Sequence, residues 1–160
     1  MVKVNAIALV SPLNHPIIVR SFSLSDHLKY NYVAHTSLDV IEERIALGPK
    51  FMDCYLGHLY SLEDVAVYGY VTPTRIKIIL ALELADAVVR DADVVAIFKA
   101  VHTAYHESMS NPFLRLNTMV DFTTDPSSLL NMQTKEWKGL EQRIDNIGRA
   151  IGSLPPEPTS

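Results

Sequence analysis

Histidine, cysteine and the carboxylates are where any chemistry would have to start in this chain of 160 residues. His102 and His106 stand four apart, the spacing that lets two imidazoles on one helix face share a metal ion. A third ligand is needed, and the nearest acid in sequence, Glu107, points about a third of a turn away from His106. Val94, Phe98, Val101, Tyr105 and Met109 form the apolar stripe of that helix, with His102 at its edge and His106 beyond it. Both histidines therefore read as residues at the rim of a core. Cys54, with His58 nearby, has the makings of a thiolate nucleophile, but a single cysteine at a strand start is more often a small buried hydrophobe. Glu42-Glu43 and Glu63-Asp64 are adjacent pairs, and adjacent side chains point in different directions on a helix or a strand. The six glycines form no GxGxxG or GxxxxGK[ST] phosphate loop, and no serine sits in a Gly-x-Ser-x-Gly turn. The residues predict no enzyme activity, no metal and no cofactor.

A second polar set is arranged for contact. A helix is expected from about Leu28 to Leu47, ended by Gly48-Pro49. Projected at about 100° per residue, Val33, Ala34, Leu38, Val40, Ile41 and Ile45 share one arc, which should bury against a sheet. Asn31, His35, Asp39, Glu42 and Glu43 share the opposite arc. Two readings stand side by side. The arc is an ordinary solvated face carrying a His35–Asp39 pair worth a few tenths of a kcal/mol, or it is a partner-docking face with Asp39 as its first contact.

The elements that must position these residues are legible in order. Val2–Ser11 alternates, with Val2, Val4, Ala6, Ala8 and Val10 on one face, and reads as a strand. Pro12-Leu13-Asn14-His15-Pro16 is turn chemistry, and Ile17–Phe22 completes a hairpin. After the helix come a short strand at Tyr55–Tyr60, then Val65–Val71 and Arg75–Leu82 joined by Thr72-Pro73-Thr74. Val65 and Val67 face one way while Tyr68 and Tyr70 face the other, so this strand is apolar on both sides and its sheet should be covered on both. Ile76, Ile78, Leu80, Leu82 and Leu84 line one face of the next strand, with Arg75, Lys77 and Glu83 on the other. Asp91-Ala92-Asp93 opens a helix running to about Ser110, because aspartates in a first turn satisfy free N–H groups. A last helix is expected over Leu129–Ile151. The tail, 153–160, is proline-rich and polar and is expected to be disordered; residues 1–152 form one domain. The order is ββαβββαα.

That order, an α/β (α+β) arrangement, is similar to the longin-like fold. Four words in register resemble the sedlin family of vesicle-tethering (TRAPP) complex subunits: His35–Glu43 (HTSLDVIEE), Tyr55–Tyr60 (YLGHLY), Val67–Thr72 (VYGYVT) and Asn111-Pro112-Phe113. They cover about residues 2 to 115; beyond Arg115 the likeness fades, and the link Ser61-Leu62-Glu63-Asp64 lacks an expected proline. The resemblance implies a five-stranded antiparallel sheet with one helix on one face and two on the other. It implies a non-catalytic subunit or adaptor of TRAPP in ER-to-Golgi and Golgi traffic. Its partners would be other TRAPP subunits, with a Rab GTPase served only indirectly and the membrane approached peripherally through the complex. Because Asp39 lies inside the first word, the resemblance favours the docking reading, with Asp39, His35, Glu42 and Glu43 as partner-binding residues.

Composition agrees with a soluble cytoplasmic domain. Hydrophobic residues make 48% and charged residues 20%, and the net charge of −4 offers no basic footprint for nucleic acid. The opening apolar run is broken by Asn5 and ended by Pro12, too short for a leader or a span. A longin-like adaptor of another trafficking complex, or a domain binding a small apolar ligand between sheet and helices, are the remaining alternatives.

Overall fold

The computed structural model describes residues 2–22, 27–47, 54–84, 88–110 and 135–152. Its strands are β1 (Val4–Val10), β2 (Pro16–Ser21), β3 (Tyr55–Leu62), β4 (Val65–Val71) and β5 (Lys77–Glu83). Its helices are α1 (His27–Ala46), α2 (Asp91–Met109) and α3 (Lys135–Ala150). The sheet order is β2-β1-β5-β4-β3, every neighbouring pair antiparallel. The β1–β2 hairpin comes first, α1 carries the chain to the far edge, and the β3-β4-β5 meander returns to set β5 against β1.

Turn chemistry sets each hairpin. Asn14 takes a left-handed φ of 65°, a conformation Asn tolerates, and the Ser11 and His15 backbones close the first turn. At Thr72–Ile76 the Arg75 N–H donates to the Thr72 carbonyl at 2.8 Å around Pro73, and Arg75 itself is left-handed at 65°. This is a proline-led turn followed by a left-handed residue. The positive φ takes Arg75 out of the ladder, so β5 starts two residues later than the alternation implied.

Alternation then sorts the core into two layers. Ala6, Ala8, Val10, Val65, Val67, Ile79 and Ala81 meet Tyr30, Val33, Ala34, Leu38 and Ile41 of α1. On the other side Ile7, Leu9, Tyr70, Ile78, Leu80 and Leu82 meet Val94, Ile97, Phe98 and Val101 of α2 with Leu140 and Ile144 of α3. One helix on one face and two on the other is thus the observed architecture. Each such fully buried aliphatic or aromatic residue is worth about 1.5–3 kcal/mol against exposure, so these layers outweigh the surface ion pairs, each about 0–1 kcal/mol. Two details depart from the sequence pattern. A register shift between Val4 and Ala6 puts Val4 and Val2 into the α2–α3 layer instead of beside Ala6. Leu84, beyond the end of β5, is 49% exposed.

The later helices match in type, and α2 in extent. The carboxylates Asp91 and Asp93 do occupy the first turn of α2. Residues 129–134 of the expected last helix, the Asn111-Pro112 and Gly48-Pro49 stops, and the tail 153–160 lie outside the described residues. Arg20 of β2 grips Asp145 of α3 through both carboxylate oxygens, at 2.7 and 2.9 Å, and fixes α3 over that edge.

Candidate partner-docking face

The face in question belongs to α1, and the sheet holds that helix along its length. Near its start Lys29 donates to Glu63 Oε2 at 2.7 Å, in the β3–β4 turn. The Tyr60 hydroxyl donates to the Val33 carbonyl at 3.0 Å and sits 3.3 Å from Ser37 Oγ, itself fully buried. Near its end the Arg44 guanidinium donates to the carbonyls of Leu56 and His58 on β3. Glu42 accepts from the Lys77 ammonium, which also donates to Asn14 Oδ1. A helix restrained this way presents its outer side chains from a fixed backbone, which lowers the entropy cost of docking.

The sequence-predicted site residues fall into two groups. His35, Asp39 and Glu43 are exposed, and among the described residues no hydrogen bond or ion pair engages their side chains. The expected His35–Asp39 pair is not made. Glu42 belongs elsewhere. Its carboxylate is half-exposed, yet it is the ionic partner of Lys77, whose side chain is 4% exposed. The hydrogen bond from Lys77 holds the Glu42 carboxyl below the usual glutamate range, against the desolvation that would raise it. Glu42 therefore clasps α1 to the start of β5. Ile45 also departs from its arc, being 41% exposed.

The apolar half of the face is of the kind the sequence leads one to expect, exposed Leu, Val or Tyr side chains near the first helix or a sheet edge, but sequence reasoning did not name its residues. Leu28 is 86% and Tyr32 64% exposed. Leu28, Tyr32, His35, Asp39 and Glu43 follow one another at steps of four, three, four and four, a single stripe along the outside of α1. The signal was available in that spacing. The stripe is apolar at its N-terminal end and acidic toward its C-terminal end.

The other candidate chemistries do not assemble. His102 and His106 lie with ring centroids 6.4 Å apart, and no group of three metal-ligating side chains forms among the described residues. Glu107 bonds Arg143 of α3 at 2.7 Å. His58 engages Ser61 Oγ at 2.8 Å and stands edge-on to the Tyr68 ring, whereas Cys54 packs half-buried against the α2–α3 layer. Tyr55, Tyr70 and Phe98 form a ring cluster with centroids 6.0 and 5.2 Å apart, and burial together with Asp91 at 2.9 Å pushes the Tyr55 phenol far above its usual range. Two shallow clefts flank α1 on the β2 side, and their free volume is far too small for a small molecule, whose sites run to ~300–1,000 Å³. No helix among the described residues is long and apolar enough to cross a membrane.

Comparison with known proteins identifies the family. Trafficking protein particle complex subunit 2-like proteins are similar to this chain in Bos taurus (38% identical over 67% of this chain and 80% of that protein) and Rattus norvegicus (39% over the same shares). The Dictyostelium discoideum protein of that name is 39% identical over 76% of this chain and 89% of its own length. The sedlin family model matches residues 9–132, a stretch holding every strand of the sheet except the beginning of β1, together with α1 and α2, and on that match the chain belongs to the sedlin family.

Proposed function

We propose that this protein is a non-catalytic subunit of a trafficking protein particle (TRAPP) complex, acting in ER-to-Golgi and Golgi traffic, and that it docks other subunits through the outer stripe of α1. The observation that carries the reading is the exposed Leu28–Tyr32–His35–Asp39–Glu43 stripe on a helix whose inner face packs on the sheet. A merely solvated face gains nothing from Leu28 and Tyr32, which cost free energy in water. The relatives' printed names supply the kind of complex. In this role the chain contributes assembly, other subunits carry nucleotide exchange on a Rab GTPase, and membrane contact is peripheral, made through the whole complex from the cytoplasm. A longin-like adaptor of another complex would use the same stripe with other partners. A small apolar ligand is disfavoured by the size and openness of the clefts beside α1.

Asp39→Tyr tests the docking face. On a plain solvated surface the change should move stability by no more than about 0.5 kcal/mol and leave binding intact. We expect the fold to be kept, by circular dichroism and urea midpoint, while recovery of TRAPP subunits with the tagged variant falls about tenfold. Unchanged recovery would take Asp39 out of the docking face.

A further inference from the structure

The two edges of the sheet are finished differently. On β3 the ladder is broken by register shifts between Tyr55 and Gly57 and between His58 and Tyr60, Gly57 is left-handed at φ 76°, and Arg44 occupies the Leu56 and His58 carbonyls. Bulges and a covering cation are what keep an edge from pairing. On β2 the ladder shifts register once, opposite Leu9 and Val10 where Ile17 is left unmatched, and is regular from Ile18 to Ser21. Phe22 donates inward to the Asn5 carbonyl at 2.8 Å, so alternation over the regular stretch turns the N–H and C=O of Val19 outward. Among the described residues nothing outside the sheet bonds them. The charged side chain of β2, Arg20, does not guard the edge, because Asp145 holds it over the α3 face.

The α1 side of this edge is apolar. Two shallow clefts with almost no free volume share Val19 of β2 and Ala34 of α1. One of them reaches Val10, Pro16, Leu38 and His35, next to Asp39 on the stripe. A strand added to β2 would place every second side chain beside the half-buried Val19.

We propose that β2 accepts an extended segment of a different protein chain as a sixth strand, apolar at alternate positions and carrying basic side chains where it passes the Asp39–Glu43 end of α1. This rests on the subunit reading above and deepens it. Size argues that the segment belongs to a folded subunit. A stable interface buries roughly 1,200–2,000 Å², more than a short strand alone supplies, and the cleft leads directly onto the α1 stripe. Charge argues for a different chain over a second copy. Antiparallel pairing of β2 with its own copy sets both α1 helices, each with its acidic stripe, on the same side of the joined sheet, in chains of net charge −4.

Amide hydrogen exchange on the full chain tests this, first alone and then in the TRAPP complex purified with it from cells. The Val19 amide should exchange readily in the free chain and at least about tenfold more slowly in the complex. Val19→Pro, which removes an outward N–H and no ladder bond, should lower recovery of subunits about tenfold, whereas Val19→Ala should change it less than about twofold. Subunits recovered in full with β2 amides exchanging as fast as in the free chain would overturn the sixth strand and leave the subunit role standing. Recovery of no TRAPP subunit would overturn that role and the sixth strand with it. A stable dimer of the free chain with protected β2 amides would assign the edge to a second copy and overturn the proposal.

Discussion

Glu42 shows how a residue can look like a contact and act as a clasp. It lies on the polar arc of α1 by spacing, and only the strand 35 residues on explains it: Lys77 is buried beneath the helix and needs an anion. Glu42→Gln keeps the shape and an acceptor oxygen but removes the only carboxylate paired with the Lys77 ammonium among the described residues, so we expect a loss of about 1–2 kcal/mol in urea unfolding. Lys77→Met removes the buried charge itself, and Glu42, half-exposed, can return to water. That change should stay within about 1 kcal/mol. The pH dependence has a definite sign. Because the folded-state value of Glu42 is lowered, its contribution is complete above the ordinary glutamate range near 4.5 and is lost as pH falls through the lowered value. Urea midpoints at pH 7 and pH 3 should therefore fall less in Glu42→Gln than in the wild type. Asp39 and His35 were legible because outward position on a helix follows from spacing alone. The burial of Lys77 was not, since alternation assigns it a face without saying what covers that face.

At the scale of elements, helix and strand identity followed from period and punctuation, while register did not. The shift after Val4 and the bulge around Leu59 arise from pairing across the sheet, which no local window contains. Leu59 matters most, because its side chain lies over Gly69 of β4. A Cβ at Gly69 would stand 2.9 Å from Leu59 Cδ1 and 3.3 Å from its Cγ. Leu59 is itself buried and has little room to retreat. Gly69→Val should therefore cost about 1–3 kcal/mol through overpacking, despite valine's better strand propensity, as read from thermal unfolding. Relief of that cost by Leu59→Ala in the double variant would show that the two residues share the space; additive losses would show that they do not.

For the whole molecule, the layered architecture was readable because both faces of Val65–Val71 are apolar, which a one-sided sheet does not need. The proposed docking face was readable residue by residue only in its acidic half, since exposure of Leu28 and Tyr32 depends on where α1 lies on the sheet. A scaffold of this kind should carry no exchange chemistry by itself: the purified chain, added to Rab GTPases loaded with labelled GDP, should leave nucleotide release at the buffer rate. The central claim, membership of a trafficking complex, is tested most directly by fractionating native lysate by size and measuring the endogenous chain and TRAPP subunits in each fraction by quantitative mass spectrometry. The account predicts that the chain co-elutes with those subunits at a constant ratio, far above its own mass of 17.9 kDa. Elution at its own mass alone, or with a set of proteins containing no TRAPP subunit, would contradict it.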